Sequence, residues 1–312
     1  MEAVVVIAIS GIIVAAVALF IRAPITGYVD TAFRAELTDI ADTALRRIGR
    51  DLRTALPNSI RVTTVGSVYY LEYLEVRTGG RYRAVTSSSS TLPACPNDDP
   101  RITDEDILSF YASPSVSTDT CFKTLGNIPN SAKIVNTDYV VVFNLGIPGD
   151  SAYESPNTNK SLVSSTCTCS ASPPTGSSSA CSSCTAGSNY DEVIIAAQTF
   201  RYPSPGSRFH VVSGPVSYVC DPVGGTLRRY SGYAIQASQP NSTGAAPLST
   251  APVNALLASH VSGCSFNYNP SLNPVVARDG LVTMSLSITE VDSQGKNETV
   301  TLYESAHVSN AP

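Results

Sequence analysis

Tryptophan is absent from the chain, histidine occurs three times and methionine twice, and charged residues make up only 14 % of the 312 positions. Each scarcity excludes something. His210, His260 and His307 stand apart in strand-like sequence. No His-x-His or Glu-x-x-His spacing offers the usual imidazole metal site. Formal net charge is −5 and the isoelectric point about 5.2. A nucleic-acid binder carries a basic face and a high isoelectric point, so no nucleic-acid partner is expected. No G-x-S-x-G elbow, phosphate-binding loop or dinucleotide fingerprint occurs. The chain is therefore expected not to be an enzyme. Cysteine is missing from the first 94 residues, then appears eight times.

What is present begins with an apolar run, Ala3 to Ile21. Nineteen helical residues rise about 28 Å, close to a hydrocarbon core of about 30 Å. A membrane-spanning helix is expected. A cleaved signal peptide is the competing reading. Against it, Met1-Glu2 is not basic, the run is longer than a usual apolar region, and no small-residue cleavage site follows. Glu2 at the head of this run has two readings. It can lie in the headgroup layer, near the positive helix N-terminus, or it can pair with a cation on a neighbouring helix.

Arg22, Pro24 and Gly27 follow and predict a bend. From about Tyr28 to Ala55, residues Val29, Phe33, Leu37, Ile40, Ala44, Ile48, Leu52 and Ala55 recur at three- and four-residue steps. That is one apolar stripe on a helix. Pro57 ends it.

The remainder reads as strands and loops. Residues 59–83, 107–111, 139–144, 191–202 and five stretches from 208 onward are rich in β-branched and aromatic residues. Turn signals stand at Gly79-Gly80, Asp221-Pro222, Gly224-Gly225 and Asp292 to Gly295. Residues 146–188 read as a Ser/Cys-rich insert with too few apolar side chains for a core of its own.

An even number of cysteines in this part fits disulfides in an oxidising compartment. Cys95 with Cys121, Cys220 with Cys264, and a nested pair, Cys167 with Cys184 and Cys169 with Cys181, are the expected bridges. Cys-x-Cys beside Cys-x-x-Cys also reads as a zinc site or as redox chemistry. The acidic runs Asn97 to Asp99 and Asp104 to Asp106 could take calcium. No cofactor is expected, with zinc and calcium as the alternatives.

The order of glutamate, apolar run, amphipathic helix and β-rich domain resembles the type IV pilin and type II secretion pseudopilin superfamily. RFHVVSGPVSYVC, GTLRRYSGY, the Cys264-x-Phe266-x-Tyr268 strand, GLVTMSLSI and the terminal HVSNAP resemble, in that order, the J-type minor pseudopilins. They are most similar to the MshO-like minor pilins of MSHA-type pili. The resemblance implies an α+β fold, in which a long N-terminal α-helix, with a membrane half and an amphipathic half, packs on an antiparallel, pilin-like β-rich domain. Residues 1–22 would be the assembly helix, 23–56 its amphipathic continuation and 57–312 the domain.

It also implies a structural subunit that helps start a pilus or pseudopilus, within the tip complex. Glu2 would match the α-amine of the next subunit. Partners would be major and minor pilins, an inner-membrane assembly platform and a prepilin peptidase. The chain would pass once through the bacterial inner membrane, with its domain outside the cytoplasm, before joining a surface filament. A leader and the first mature residues would precede Met1. A membrane-anchored adhesin that uses the stapled insert is the rival function.

Overall fold

A computed structural model describes residues 2–84, 107–108, 110, 118–129, 134–155, 159–168, 191–269, 279–292 and 294–311. One helix, α1 (Glu2–Leu52), precedes twelve strands: β1 (Arg61–Val65), β2 (Val68–Arg81), β3 (Asp119–Lys123), β4 (Tyr139–Val141), β5 (Lys160–Thr168), β6 (Asp191–Gln198), β7 (Arg208–Asp221), β8 (Thr226–Ser231), β9 (Val253–Ser259), β10 (Val261–Asn269), β11 (Asp279–Val291) and β12 (Asn297–Ser309). Nine strands form one sheet in the order β1-β2-β7-β4-β5-β6-β3, with β8 and β9 branching from β7. The other three form a separate meander, β10-β11-β12. Every pairing between named strands is antiparallel.

The expected α+β architecture, a long N-terminal helix packed on a pilin-like domain, is corrected. The protein is mostly antiparallel β-sheet, about 47 % strand, and its helical side chains are described in two stretches, 2–17 and 27–52. The physical reason lies in the two stretches. Residues 2–17 are apolar all round, so no single face selects a sheet to lie on, and every one of them is exposed. Only the second stretch carries a stripe. Leu37, Ala41, Ala44, Leu45, Ile48 and Leu52 are buried at three- and four-residue steps, against Val282, Leu286 and Val308 of the meander and Tyr73 and Tyr218 of the large sheet. α1 is continuous through Pro24 and Gly27, where the bend is expected, and the side chains of residues 18–26 lie outside those described.

Strand chemistry explains the meander. In β11, Val282, Met284, Leu286 and Ile288 point inward, while Thr283, Ser285, Ser287 and Thr289 alternate outward. Period-two alternation is what a sheet with one wet face requires. Asp292 closes the β11–β12 turn by accepting the backbone N–H groups of Gln294 and Lys296, both at 2.8 Å. Gly295 takes the left-handed conformation there, φ 78°.

Two devices fasten the sheets together. Cys220 in β7 and Cys264 in β10 form a disulfide across the core. Asn58, just past α1, donates its amide to the carbonyls of Asn144 and Asn310, at 2.9 and 3.2 Å. That contact ties the chain after β4 and the end of β12 to the same loop.

Of the expected insert, residues 146–188, the described part is woven into the large sheet and its core. Ala152 and Tyr153 are buried, and β5 lies between β4 and β6 with Val163 inward. Of the expected strand at 107–111, the described residues 107, 108 and 110 show one bridge, Phe110 to Phe200.

Candidate functional site

Two regions attract attention by their chemistry: a buried polar cluster beneath the large sheet, and the exposed first stretch of α1.

The polar cluster begins with the β1–β2 hairpin. A Gly66-Ser67 connection, with Gly66 at φ 60°, places Arg61 directly across from Glu72. Glu72 is fully buried, and its Oε2 accepts from Arg61 Nε at 2.5 Å. Tyr233 donates to the other carboxylate oxygen at 2.8 Å and lies 2.6 Å from the Ser217 hydroxyl. Arg61 uses its remaining nitrogens on the carbonyls of Ala237 and Gln236 and stacks on the Tyr153 ring at 3.6 Å. Burial raises the Glu72 carboxyl above its ordinary range, with Arg61 and Tyr233 opposing that shift. Burial likewise pushes the Tyr233 and Tyr153 phenols well up.

Nothing in this cluster is poised for chemistry. Each nitrogen of the guanidinium has an acceptor and each oxygen of the carboxylate has a donor. A cavity of about 240 Å³ beside it is lined by Asn58, Arg61, Pro148, Tyr153 and Glu154. A second cluster holds the end of α1: Asp51 accepts from Tyr218 at 2.6 Å and from Arg229 at 3.2 Å, and Arg229 reaches Glu75 at 3.4 Å. Both clusters fasten elements rather than present groups to a ligand.

The first stretch of α1 is different. Val4, Val5, Val6, Ile7, Ile9, Ile12, Ile13, Val14 and Val17 are 48–72 % exposed. Monomeric proteins rarely leave so much contiguous apolar surface uncovered. Ser10, the one hydroxyl there, returns its donor to the Val6 carbonyl, so it offers no polar break. Glu2, the expected assembly residue, stands exposed in the first turn and is the only charge between residues 2 and 17. Among the described residues, no helix is long and apolar enough to cross a membrane. The expected single pass over Ala3 to Ile21 is therefore unsupported, its described side chains ending at residue 17.

The remaining site candidates are scattered. Cys220 and Cys264 are joined, and Cys121 is disulfide-bonded. Cys95, Cys169, Cys181, Cys184 and the side chain of Cys167 lie outside the described residues, as do residues 97–99 and 104–106. Among the described residues, no three His, Cys, Asp or Glu side chains are grouped to hold a metal. His210 is mostly buried in β7, and burial beside Arg208 lowers its pKa to about 4. His260 faces Glu290 at 3.3 Å. His307 lies in β12, across from Leu281. The histidines do not converge.

The polar clusters were missed by the sequence reading. The signal for one was available: a two-residue connection fixes hairpin register, and that register sets Arg61 opposite Glu72. No family model, no curated protein and no solved structure matches the chain.

Proposed function

We propose that the chain is a structural subunit of a bacterial filament, a minor pilin or pseudopilin, and that the first stretch of α1 is its assembly element. The observation that carries this reading is the exposed apolar arm, residues 2–17, with Glu2 at its head. An arm of this kind is stable only when something apolar covers it. Burial of apolar surface contributes about 25 cal/mol per Å², so helices of neighbouring subunits are suited to the task.

Before incorporation, the arm and the apolar residues after it would anchor the chain in the inner membrane, with the β-rich part outside the cytoplasm. In the filament, Glu2 would face the α-amine of an adjacent subunit. The bulk of the β-rich part favours a minor subunit near the tip, in an MSHA-type pilus or a type II secretion pseudopilus. Catalysis has no part in this role, and major and minor pilins with their assembly platform are the partners. The test is co-purification of the Glu2→Ala chain with other pilins. Loss of partners from a folded domain is expected. Unchanged recovery would remove Glu2 from the account.

One observation favours a second role alongside the first. Residues 169–190 connect β5 to β6, two adjacent antiparallel strands. A connection between neighbours can be elaborated without disturbing the sheet, and this one carries three cysteines and many hydroxyls. It suits a contact surface for adhesion.

A further inference from the structure

The outer face of the β10-β11-β12 meander is uncharged at neutral pH. Alternate residues from Leu281 to Val291 in β11 and from Asn297 to Ser309 in β12 point away from the core, which holds Val282, Leu286, Ala306 and Val308. None of these outward residues is Asp, Glu, Lys or Arg. The two acids within β12, Glu298 and Glu304, lie on the opposite side, beside Arg34 and Gly49 of α1.

Hydroxyls stand where charges would otherwise be, and they are paired across the strands. Ser265 meets Ser285 at 2.7 Å, Ser287 meets Thr301 at 2.8 Å and Thr289 meets Thr299 at 2.8 Å. In each pair either oxygen can donate. Tyr303 rises among them, 79 % exposed, across from Ser285. Its neighbours on this face, Ser285, Thr301 and Ser305, are too short to cover its ring. Cross-strand hydroxyl pairs steady a sheet, which accounts for the ladder. It does not account for a face without charge or for a tyrosine ring left in water.

We propose that this face binds a neutral polysaccharide, with Tyr303 stacked on a sugar ring and the hydroxyl pairs bonded to sugar hydroxyls. A pyranose presents C–H groups on its face, and these suit the negative face of an aromatic ring. A sugar hydroxyl both donates and accepts, as does a hydroxyl pair whose direction can reverse. A charged polymer would find no counter-charge here to offset its desolvation. The face also loses little on drying, since it has no charge to strip of water and its hydroxyls keep one another as partners. A protein partner fits less well. Protein interfaces are rich in aromatic residues, Met and Arg and poor in Ser, and Tyr303 is the one Phe, Tyr or Trp among these outward residues. Thr283 to Thr289 spans about 20 Å along β11, room for several consecutive sugar units. The inference goes beyond the filament reading and does not depend on it.

The experiment measures retention of the full chain, in detergent, on insoluble cellulose and starch, and its slowing in gels that contain dextran. Polygalacturonate is the acidic control. The wild-type chain should bind at least one neutral polymer, and high salt should leave that binding unchanged because no ion pair is involved. Tyr303→Ala should lower binding about tenfold at an unchanged melting temperature. Tyr303→Phe should stay within about threefold of wild type, since stacking needs the ring and not the phenol. Thr301→Asp, which sets a carboxylate beside the ring, should weaken binding as well.

Binding to none of the neutral polymers, binding that Tyr303→Ala leaves unchanged, or stronger, salt-sensitive binding to polygalacturonate would each overturn the proposal. Loss of pilin partners from Tyr303→Ala without any glycan binding would also overturn it, and would make the face a subunit contact. If deletion of residues 170–188 abolishes glycan binding and Tyr303→Ala does not, the site belongs to the β5–β6 connection and the meander face is excluded. Ile7→Asp with Ile12→Asp should leave glycan binding at the wild-type level, so the filament reading and this one fail separately.

Discussion

Single residues in this protein mostly act by being buried in charged or polar form. His210 is the simplest to test. Its folded pKa is lowered to about 4 from an ordinary 6.5, because burial and Arg208 disfavour the imidazolium. Between those values the unfolded chain binds the proton and the folded chain does not. Stability therefore falls as pH drops from 6.5 toward 4, by up to roughly 3 kcal/mol at 1.36 kcal/mol per unit. His210→Gln should flatten that part of the profile. Denaturant midpoints of both proteins at pH 7 and pH 4.5 check it, and parallel profiles would show that His210 is not the source.

The Arg61–Glu72 pair makes the complementary case. Arg61→Met leaves a buried carboxylate without its cation and should cost roughly 3 kcal/mol. Arg61→Met with Glu72→Leu should recover much of that loss, because no charge remains to be desolvated. Thermal melts of the single and double variants separate the two effects.

At the scale of elements, the Cys220–Cys264 bridge and the β5–β6 connection carry the clearest consequences. The bridge spans 44 residues. In the chain-entropy model, closing a loop of that length stabilises by about 4 kcal/mol. Cys220→Ala with Cys264→Ala should lower the denaturant midpoint accordingly. Deleting residues 170–188 and joining the ends with a short Gly-Ser link should leave the melting temperature within a few degrees, because β5 and β6 remain paired. If adhesion resides there, attachment falls while filament assembly persists. A collapse of stability would show that the segment belongs to the core.

Several elements were legible in advance. The seven- and four-residue spacing of Leu37, Ala44, Ile48 and Leu52 marks a helix with one buried face. The alternation in β11 marks a half-buried strand. Others were hidden for physical reasons. In β9, only Ala258 is buried, so Val-Asn-Ala-Leu-Leu-Ala-Ser shows no period of two. In β5, Ser and Thr composition reads as low complexity, although Ser161 and Val163 are both buried. The fold class differs because the apolar and the amphipathic halves are expected to form one long helix packed on the domain. Its first stretch instead has no preferred face and touches nothing buried. For the site, Glu2 and the arm could be read directly. The arginine–carboxylate clusters could not, since their members come from strands far apart in sequence.

The molecule as a whole joins two antiparallel sheets across a core shared with the second stretch of α1, and it carries an apolar arm that the core does not use. The β-rich part fastens itself with a disulfide, two arginine clusters and the Asn58 contacts. Substitutions in the arm should therefore leave its folding untouched, and assembly and stability should separate cleanly.

The most direct measurement uses Ile7→Asp with Ile12→Asp in cells that make the partner pilins, following the chain in sheared filaments with an antibody to the β-rich part. The account predicts a folded domain with wild-type melting temperature and an intact Cys220–Cys264 bridge, but at least about tenfold less chain in the filament fraction, because two carboxylates in an apolar helix contact each cost several kcal/mol. Recovery of the variant in filaments at the wild-type level would contradict the account.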